Sequence, residues 1–224
     1  LPNRSGVAAV DIDGDGWCDL FFAGLGGGSR LYRNRGHWQF EDVTEAAGVA
    51  CRGLDATGAA LVDVDGNGSP DLIVNSLGGG THLFLNDGHG RFHEAGPPLN
   101  PDRGGTSLAL ADIDGDGDLD LYVTNYRRST VTDLPGLRFS FKMVNGQPTV
   151  SQIDGRPLTD PEWTNRFVFH TAMGPDGRPR FSRDELGEPD VLFLNDGHGG
   201  FTPVPFTGGA FLDEAGKPLT QPPF

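Results

Sequence analysis

The chain is poor in positive charge: 17 Lys and Arg stand against 31 Asp and Glu in 224 residues, a net charge of −14. Binding to nucleic acid is dominated by basic contacts to phosphate, and anionic membrane surfaces attract the same side chains, so neither partner is expected. Long apolar runs are also missing, and none approaches the roughly 20 residues that a membrane-spanning helix needs, so no membrane insertion is expected. The sequence opens on Leu-Pro-Asn-Arg-Ser-Gly with no methionine, basic segment or apolar segment. An export signal is therefore expected to have been removed or never included. Cysteine is limited to Cys18 and Cys51, which permit one disulfide but no disulfide framework. No GxSxG, HExxH, CxxC or phosphate-cradling glycine loop occurs, so no catalytic signature is visible.

What is abundant is turn chemistry. Glycine at 35 residues and proline at 17 form no collagen-like triplet or low-complexity tract, which suits turns between many short strands. With 36% hydrophobic residues the chain can bury a core, and the class expected is all-β.

The most pronounced local feature is "DIDGDGWCD" at residues 11–19, with relatives "DVDGNGSPD" at 63–71 and "DIDGDGDLD" at 112–120. Their first aspartates, Asp11, Asp63 and Asp112, are spaced like the blades of a propeller. Each copy is preceded by small and β-prone residues and followed by "DLFFAG", "DLIVNS" or "DLYVTN", so each acidic stretch is expected at the tip of a hairpin. A second hairpin follows in every unit, with Asn34, Asn86 and Asn195 leading into Gly36, Gly88 and Gly197, the residues of a tight turn with positive φ. Phe40, Phe92 and Phe201 restart the last strand and are expected to pack on a neighbouring unit. Four antiparallel strands per repeat, with small residues on the first, describe a β-propeller blade. The reading is a partial propeller of about three blades, at 1–50, 51–98 and 99–207, with 208–224 approaching a further one.

The third unit is longer than the others by about 60 residues. Its insertion, residues 128–188, leaves after the second strand and returns at the third. "EWTNRFVFHTAM" at 162–173 carries more apolar and aromatic residues than a solvated linker needs, so an ordered segment is expected. It is read either as a recognition surface, with Arg127, Arg128, Trp163, Arg166 and His170 as ligand-binding candidates, or as a cap on its blade or on a missing neighbour.

Aspartates so close together repel one another unless a cation sits among them. Asp11, Asp13 and Asp15 stand at alternate positions, Gly14 and Gly16 permit the turn, Trp17 can offer its carbonyl, and Asp19 closes the shell. This is the first part of an EF-hand loop, without the bidentate glutamate and the flanking helices. The second loop offers Asp63, Asp65, Asn67, Ser69 and Asp71, the third Asp112, Asp114, Asp116, Asp118 and Asp120. All donors are hard oxygens, and a flexible carboxylate shell favours Ca²⁺ over Mg²⁺. About three calcium ions are expected, with the second loop weakest because Asn67 replaces a carboxylate. Calcium sites of this kind suit an extracellular setting, so the protein is expected to be secreted, periplasmic or on a cell surface.

The repeated DxDGxGxxD loops followed by "LFLNDGHGxF" resemble the FG-GAP or VCBS repeats of integrin-like β-propellers. The spacing and the insertion are closer to the bacterial relatives of cartilage acidic protein, which carry such repeats ahead of an ASPIC/UnbV domain; no ASPIC/UnbV segment is visible. The resemblance implies a propeller of about seven blades with calcium in the loops between first and second strands, held by the loop residues named above. It also implies that further blades of a parent chain are partners, since three cannot close a ring. The function expected is recognition of, or adhesion to, a protein or carbohydrate ligand without catalysis. The alternative is a polysaccharide-active, lyase-type propeller enzyme using calcium, for which Tyr126, Arg127, Arg128 and His170 are the candidates. His37, His89 and His198 recur at one turn position in separate blades and are read as hairpin trim. Asp184 and Glu185 are adjacent and read as solvated. Cys18 and Cys51 are read as a disulfide along one blade edge, or else as two unrelated buried thiols.

Overall fold

The computed structural model describes residues 6–101, 103–130, 133–161 and 163–220. They form two compact units: residues 129–187, and the repeats that precede and follow them.

The repeat unit consists of three four-stranded antiparallel sheets. Blade 1 contains β1 (Val7–Val10), β2 (Asp19–Phe22), β3 (Arg30–Asn34) and β4 (Phe40–Asp42). Blade 2 contains β5 (Ala56–Val62), β6 (Asp71–Ser76), β7 (Gly80–Asn86) and β8 (Phe92–Glu94). Blade 3 opens with β9 (Gly104–Ala111) and β10 (Asp120–Tyr126) and closes with β16 (Val191–Asn195) and β17 (Phe201–Val204). The three share one register, with Leu20 opposite Tyr32, Leu72 opposite Phe84 and Leu121 opposite Phe193. This is a β-propeller-like fold, as the repeat period predicts.

Alternation along the strands makes each blade two-faced. Leu72, Val74 and Phe84 of blade 2 pack on Phe21 and Leu31 of blade 1. Ile73 and Leu83, on the opposite face, pack on Leu121, Val123 and Phe193 of blade 3. Phe92 joins the first of these cores and Phe201 borders the second, as expected; Phe40 is exposed. The first strands of neighbouring blades approach one another closely because they carry small residues. A Cβ on Gly6 would meet the Cα of Gly58 at 2.9 Å, and the Thr57 hydroxyl donates to the Gly105 carbonyl at 2.5 Å. A short helix, α1 (Thr44–Ala47), links blade 1 to blade 2.

Residues 129–187 carry five strands: β11 (Phe139–Val144), β12 (Gln147–Ile153), β13 (Arg156–Pro157), β14 (Phe167–Met173) and β15 (Pro179–Glu185). The chain departs after β10 and returns at β16, its neighbour in the sheet, where the insertion was placed from the sequence. The unit has its own aromatic cluster, in which Phe139 meets Phe167, Phe169 and Phe181 with ring centroids 5.2–6.3 Å apart.

After β17, residues 208–220 contain a single bridge, Leu212 to Pro218, and Phe206 meets Tyr122 edge-on.

Cys18 and Cys51 are free thiols, the first exposed and the second buried, which corrects the expected disulfide. Cys18 precedes β2 at the acidic-loop end of blade 1, its thiol directed at the Asp19 carbonyl. Cys51 belongs to the core cluster and its backbone approaches Gly27, beyond the other end of β2. The length of that strand separates them.

Candidate functional site: three carboxylate loops

The acidic stretches lie between the first and second strands of their blades. Their first aspartates are held by the loop itself. Asp11 accepts from the amides of Gly14 and Gly16 at 2.8 and 2.7 Å, and Asp63 accepts from Gly66 and Gly68 at 2.9 and 2.8 Å. Asp112 does the same with Gly115 and Gly117. The glycines at these corners have positive φ, 74° at both Gly14 and Gly66, a conformation that few other residues adopt without strain.

The last aspartate is a buried clamp. Asp71 accepts from Val64 N at 3.0 Å and from Asn86 N at 2.8 Å, tying its loop to the end of β7. Asp19 does the same with Ile12 and Asn34, and Asp120 with Ile113 and Asn195. This role is not evident in the motif, where the residue reads only as a ligand. Burial pushes the Asp71 carboxyl above its ordinary value despite these bonds, and the charges of Asp65 and Asp63 add to the rise. Burial raises Asp19 likewise, with Asp13 and Asp15 contributing. Asp11 moves the other way: desolvation opposes ionisation, but amides from Gly16, Asp13, Gly14 and Asp15 outweigh it and lower the carboxyl.

In each loop three carboxylates offer oxygens within 4.8 Å of one another: Asp11, Asp13 and Asp15; Asp63, Asp65 and Asp71; Asp112, Asp114 and Asp120. Asp19 and Asp116 lie outside these groups. The side chains at the seventh position point elsewhere. Trp17 lies over Gly36, Ser69 faces Gly88, and Asp118 faces Gly197. Asn67 keeps the turn geometry of Asp15 and Asp116, accepting from Ser69 N at 2.7 Å as they accept from the residue two ahead.

The donor sets suit a hard cation. In loops 2 and 3 no basic side chain among the described residues pairs with the clustered carboxylates. In loop 1, Asp13 has a buried Oδ1 with no hydrogen-bond partner, an atom that a cation could satisfy.

The second hairpins turn out to lock the blades together. The Asn86 side-chain amide donates to the Ile12 carbonyl of blade 1 at 2.9 Å and to Pro70 O at 2.9 Å. Asn195 repeats this on Val64 O of blade 2 at 2.9 Å and on Leu119 O at 3.2 Å. The apolar residue at the second loop position is the partner of each lock: Ile12 and Val64 are buried where the following blade covers them, while Ile113 is 55% exposed. The only sequence signal was that this position is always Ile or Val and the asparagine never varies across the units.

The remaining candidates are scattered. Trp163 is 5% exposed and stacked on Phe167, and Arg166 is 4% exposed, bonded to Glu185 at 2.8 Å and to the Ser129 carbonyl at 2.8 Å. Both are core residues of the insertion and not ligand-facing donors, because this small sheet pair needs an aromatic filling and a satisfied charge within it. His170 is exposed and contacts Asp184 at 2.9 Å. Arg127 is half-buried, and the Arg128 side chain lies by Gly78. His37, His89 and His198 occupy separate blade tips, and no metal-type cluster among the described residues includes a histidine.

On blade 1 an open cavity of about 530 Å³ is lined by Trp17, Cys18, Leu20, Asn34, His37, Trp38 and Phe40. Its wall Trp38, 90% exposed at φ 62°, stands where blades 2 and 3 have Gly90 and Gly199.

Phase-matched carboxylate loops on four-stranded blades define a β-propeller-type repeat protein with candidate cation sites at its hairpin tips. The family model of the FG-GAP-like repeat matches residues 11–74 and, overlapping, 63–123, together half of the chain. The chain belongs to the FG-GAP-like repeat family. No curated protein matches it.

Proposed function

We propose that the chain is a calcium-binding recognition module of an extracellular FG-GAP-like repeat protein, binding a protein or carbohydrate ligand without catalysing a reaction. The observation that carries this reading is the convergence of three carboxylates within 4.8 Å in each of three phase-matched loops. Such convergence is unfavourable without a cation, and calcium fits the all-oxygen donors. Asp11, Asp13, Asp15, Asp63, Asp65, Asp71, Asp112, Asp114 and Asp120 would hold the ions. An extracellular setting agrees with the abundance of calcium there.

Further blades are the expected partners. Trp17, Phe22 and Phe40 of blade 1 are exposed on the face whose counterparts Leu72, Val74, Phe84 and Phe92 in blade 2 are buried. Kinship with the branch that carries an ASPIC/UnbV domain rests on the repeat spacing and the long third-unit insertion.

Calorimetric titration of the chelator-treated chain with calcium tests the reading. Binding with a higher melting temperature in calcium is expected, since a ligand held only by the folded state adds RT ln(1 + [L]/Kd). No heat and superimposable melts would refute it.

A further inference from the structure

We infer that Arg33 is a tethered counter-ion of the first loop, so that loop 1 takes calcium only by displacing it and binds the ion more weakly than loops 2 and 3. This rests on the calcium reading of the loops and assigns one of them a different cation.

Register places Arg33 where blade 2 has Leu85 and blade 3 has Leu194. Leu85 at this position packs into the core between blades 2 and 3. Arg33 instead directs its guanidinium back over its own loop, where Nη2 pairs with Asp13 and lies 3.2 Å from Asp15. The pair with Asp13 is partly shielded from water, the aspartate side chain being 6% exposed and the arginine side chain 30%. A guanidinium held between two carboxylates, one of them buried, is a stronger counter-ion than one paired in open solvent.

The loop has rearranged around it. In loops 2 and 3 the third-position aspartate accepts a bond from the amide two residues on: Asn67 N to Asp65 at 3.1 Å, and Asp116 N to Asp114 at 3.3 Å. In loop 1 that amide, Asp15 N, turns to Asp11 at 3.2 Å, and Asp13 is left to Arg33. The converging carboxylates differ accordingly. Loops 2 and 3 gather their first, third and last aspartates, whereas loop 1 gathers Asp11, Asp13 and Asp15 and leaves out Asp19. The cavity of about 130 Å³ beside Arg33 is also lined by His89 and Arg91 of blade 2, so the displaced guanidinium would meet further basic groups.

Counting carboxylates ranks loop 1 with loop 3 and puts loop 2 last; the tethered arginine reverses that order for loop 1. The test compares the full chain with its Arg33→Leu variant, which restores the residue of the other blades. Arg33→Gln, which keeps polarity and length, serves if the leucine variant fails to fold. Calcium is titrated calorimetrically, and loop 1 is read separately by terbium luminescence excited through Trp17, which lies in that loop. The parent should show loops 2 and 3 filling first and loop 1 about tenfold or more weaker, with the variant recovering that factor. In chelator the variant should melt below the parent, because its carboxylates have lost their counter-ion. Unchanged terbium affinity at loop 1, with calcium still binding at loops 2 and 3, overturns the inference and leaves the calcium reading standing. Absence of calcium binding at every loop overturns the calcium reading, and with it the claim that loop 1 is a weakened site. Identical melts in chelator overturn the counter-ion role whatever the titration shows.

Discussion

At the residue scale, repeat positions that look equivalent carry different burdens. Asp71 is fully buried and satisfies two backbone amides, so Asp71→Ala leaves both unpaired. A loss of about 2–4 kcal/mol is expected in denaturant unfolding in chelator, since each unsatisfied buried group costs about 1–3 kcal/mol. Asn67 sits at a loop tip with the turn geometry of its aspartate counterparts. Asn67→Asp therefore adds a carboxylate without disturbing the turn, and calorimetry should show tighter calcium binding at loop 2. The thiols differ as sharply. Burial pushes Cys51 up to about 11, with the charge of Glu94 adding to it, so its reactive thiolate is scarce at neutral pH. Iodoacetamide followed by peptide mapping should modify Cys18 in the folded protein and Cys51 only after unfolding.

At the scale of the element, the Asn-led hairpin is both a turn and a bolt. The Asn86 side chain bridges two blades through Ile12 O and also caps its own turn at Gly88 and Gly90. Asn34 has the same local bond, to the Cys18 carbonyl, with no blade ahead of it among the described residues. Asn86→Ala should thus destabilise by about 2–4 kcal/mol and Asn34→Ala by about 1 kcal/mol or less, a contrast that denaturant melts of the two variants measure. The same hairpins hold Asp87 and Asp196 below the ordinary carboxylate value of 3.8. At Asp87 the amide of His89 is the main cause, opposed by desolvation and aided by the amide of Arg91; at Asp196 it is Gly200, then His198. A lowered folded-state pKa contributes stability that is present above the unfolded value and lost as pH falls through the folded one. Asp87→Asn with Asp196→Asn should flatten the acid limb of the melting temperature below about pH 4 and leave neutral pH little changed. A double variant with an unaltered acid limb would contradict this.

For the whole molecule, the division into blades and a separately packed insertion predicts separable behaviour. Residues 129–187 hold their own aromatic cluster and the buried Arg166–Glu185 pair. Replacing them with a short glycine-containing turn between Arg128 and Glu188 should leave the blades folded and calcium titration unchanged, because β10 and β16 are already neighbours. If the insertion forms the recognition surface, the same deletion removes ligand binding; retained binding would place the site elsewhere. Breaking the insertion's charge pair with Arg166→Ala should destabilise only that unit, by about 3–5 kcal/mol for an uncompensated buried carboxylate. Hydrogen exchange resolves whether the blades are spared.

The sequence by itself determined the blades, their phase, the loops at their tips and the place where the insertion interrupts the third, because turn chemistry and two-residue alternation are local and were repeated in register. Tertiary structure decided what depends on contacts between strands and loops that are distant in sequence. Asp19, Asp71 and Asp120 read as ligands in a loop, yet each is buried and clamped by a second amide partner that comes from a strand some 15 residues or more away. Trp163 and Arg166 read as a recognition surface because aromatic and basic residues serve both surfaces and cores, and only packing shows which face closes over them. Cys18 and Cys51 read as a disulfide along one blade edge, but the length of β2 keeps them apart. Arg33 was one more basic residue in a strand until folding brought its guanidinium onto Asp13 and Asp15. The reach of a long side chain from a strand to a loop is a property of three-dimensional distance, and local pattern carries no record of it.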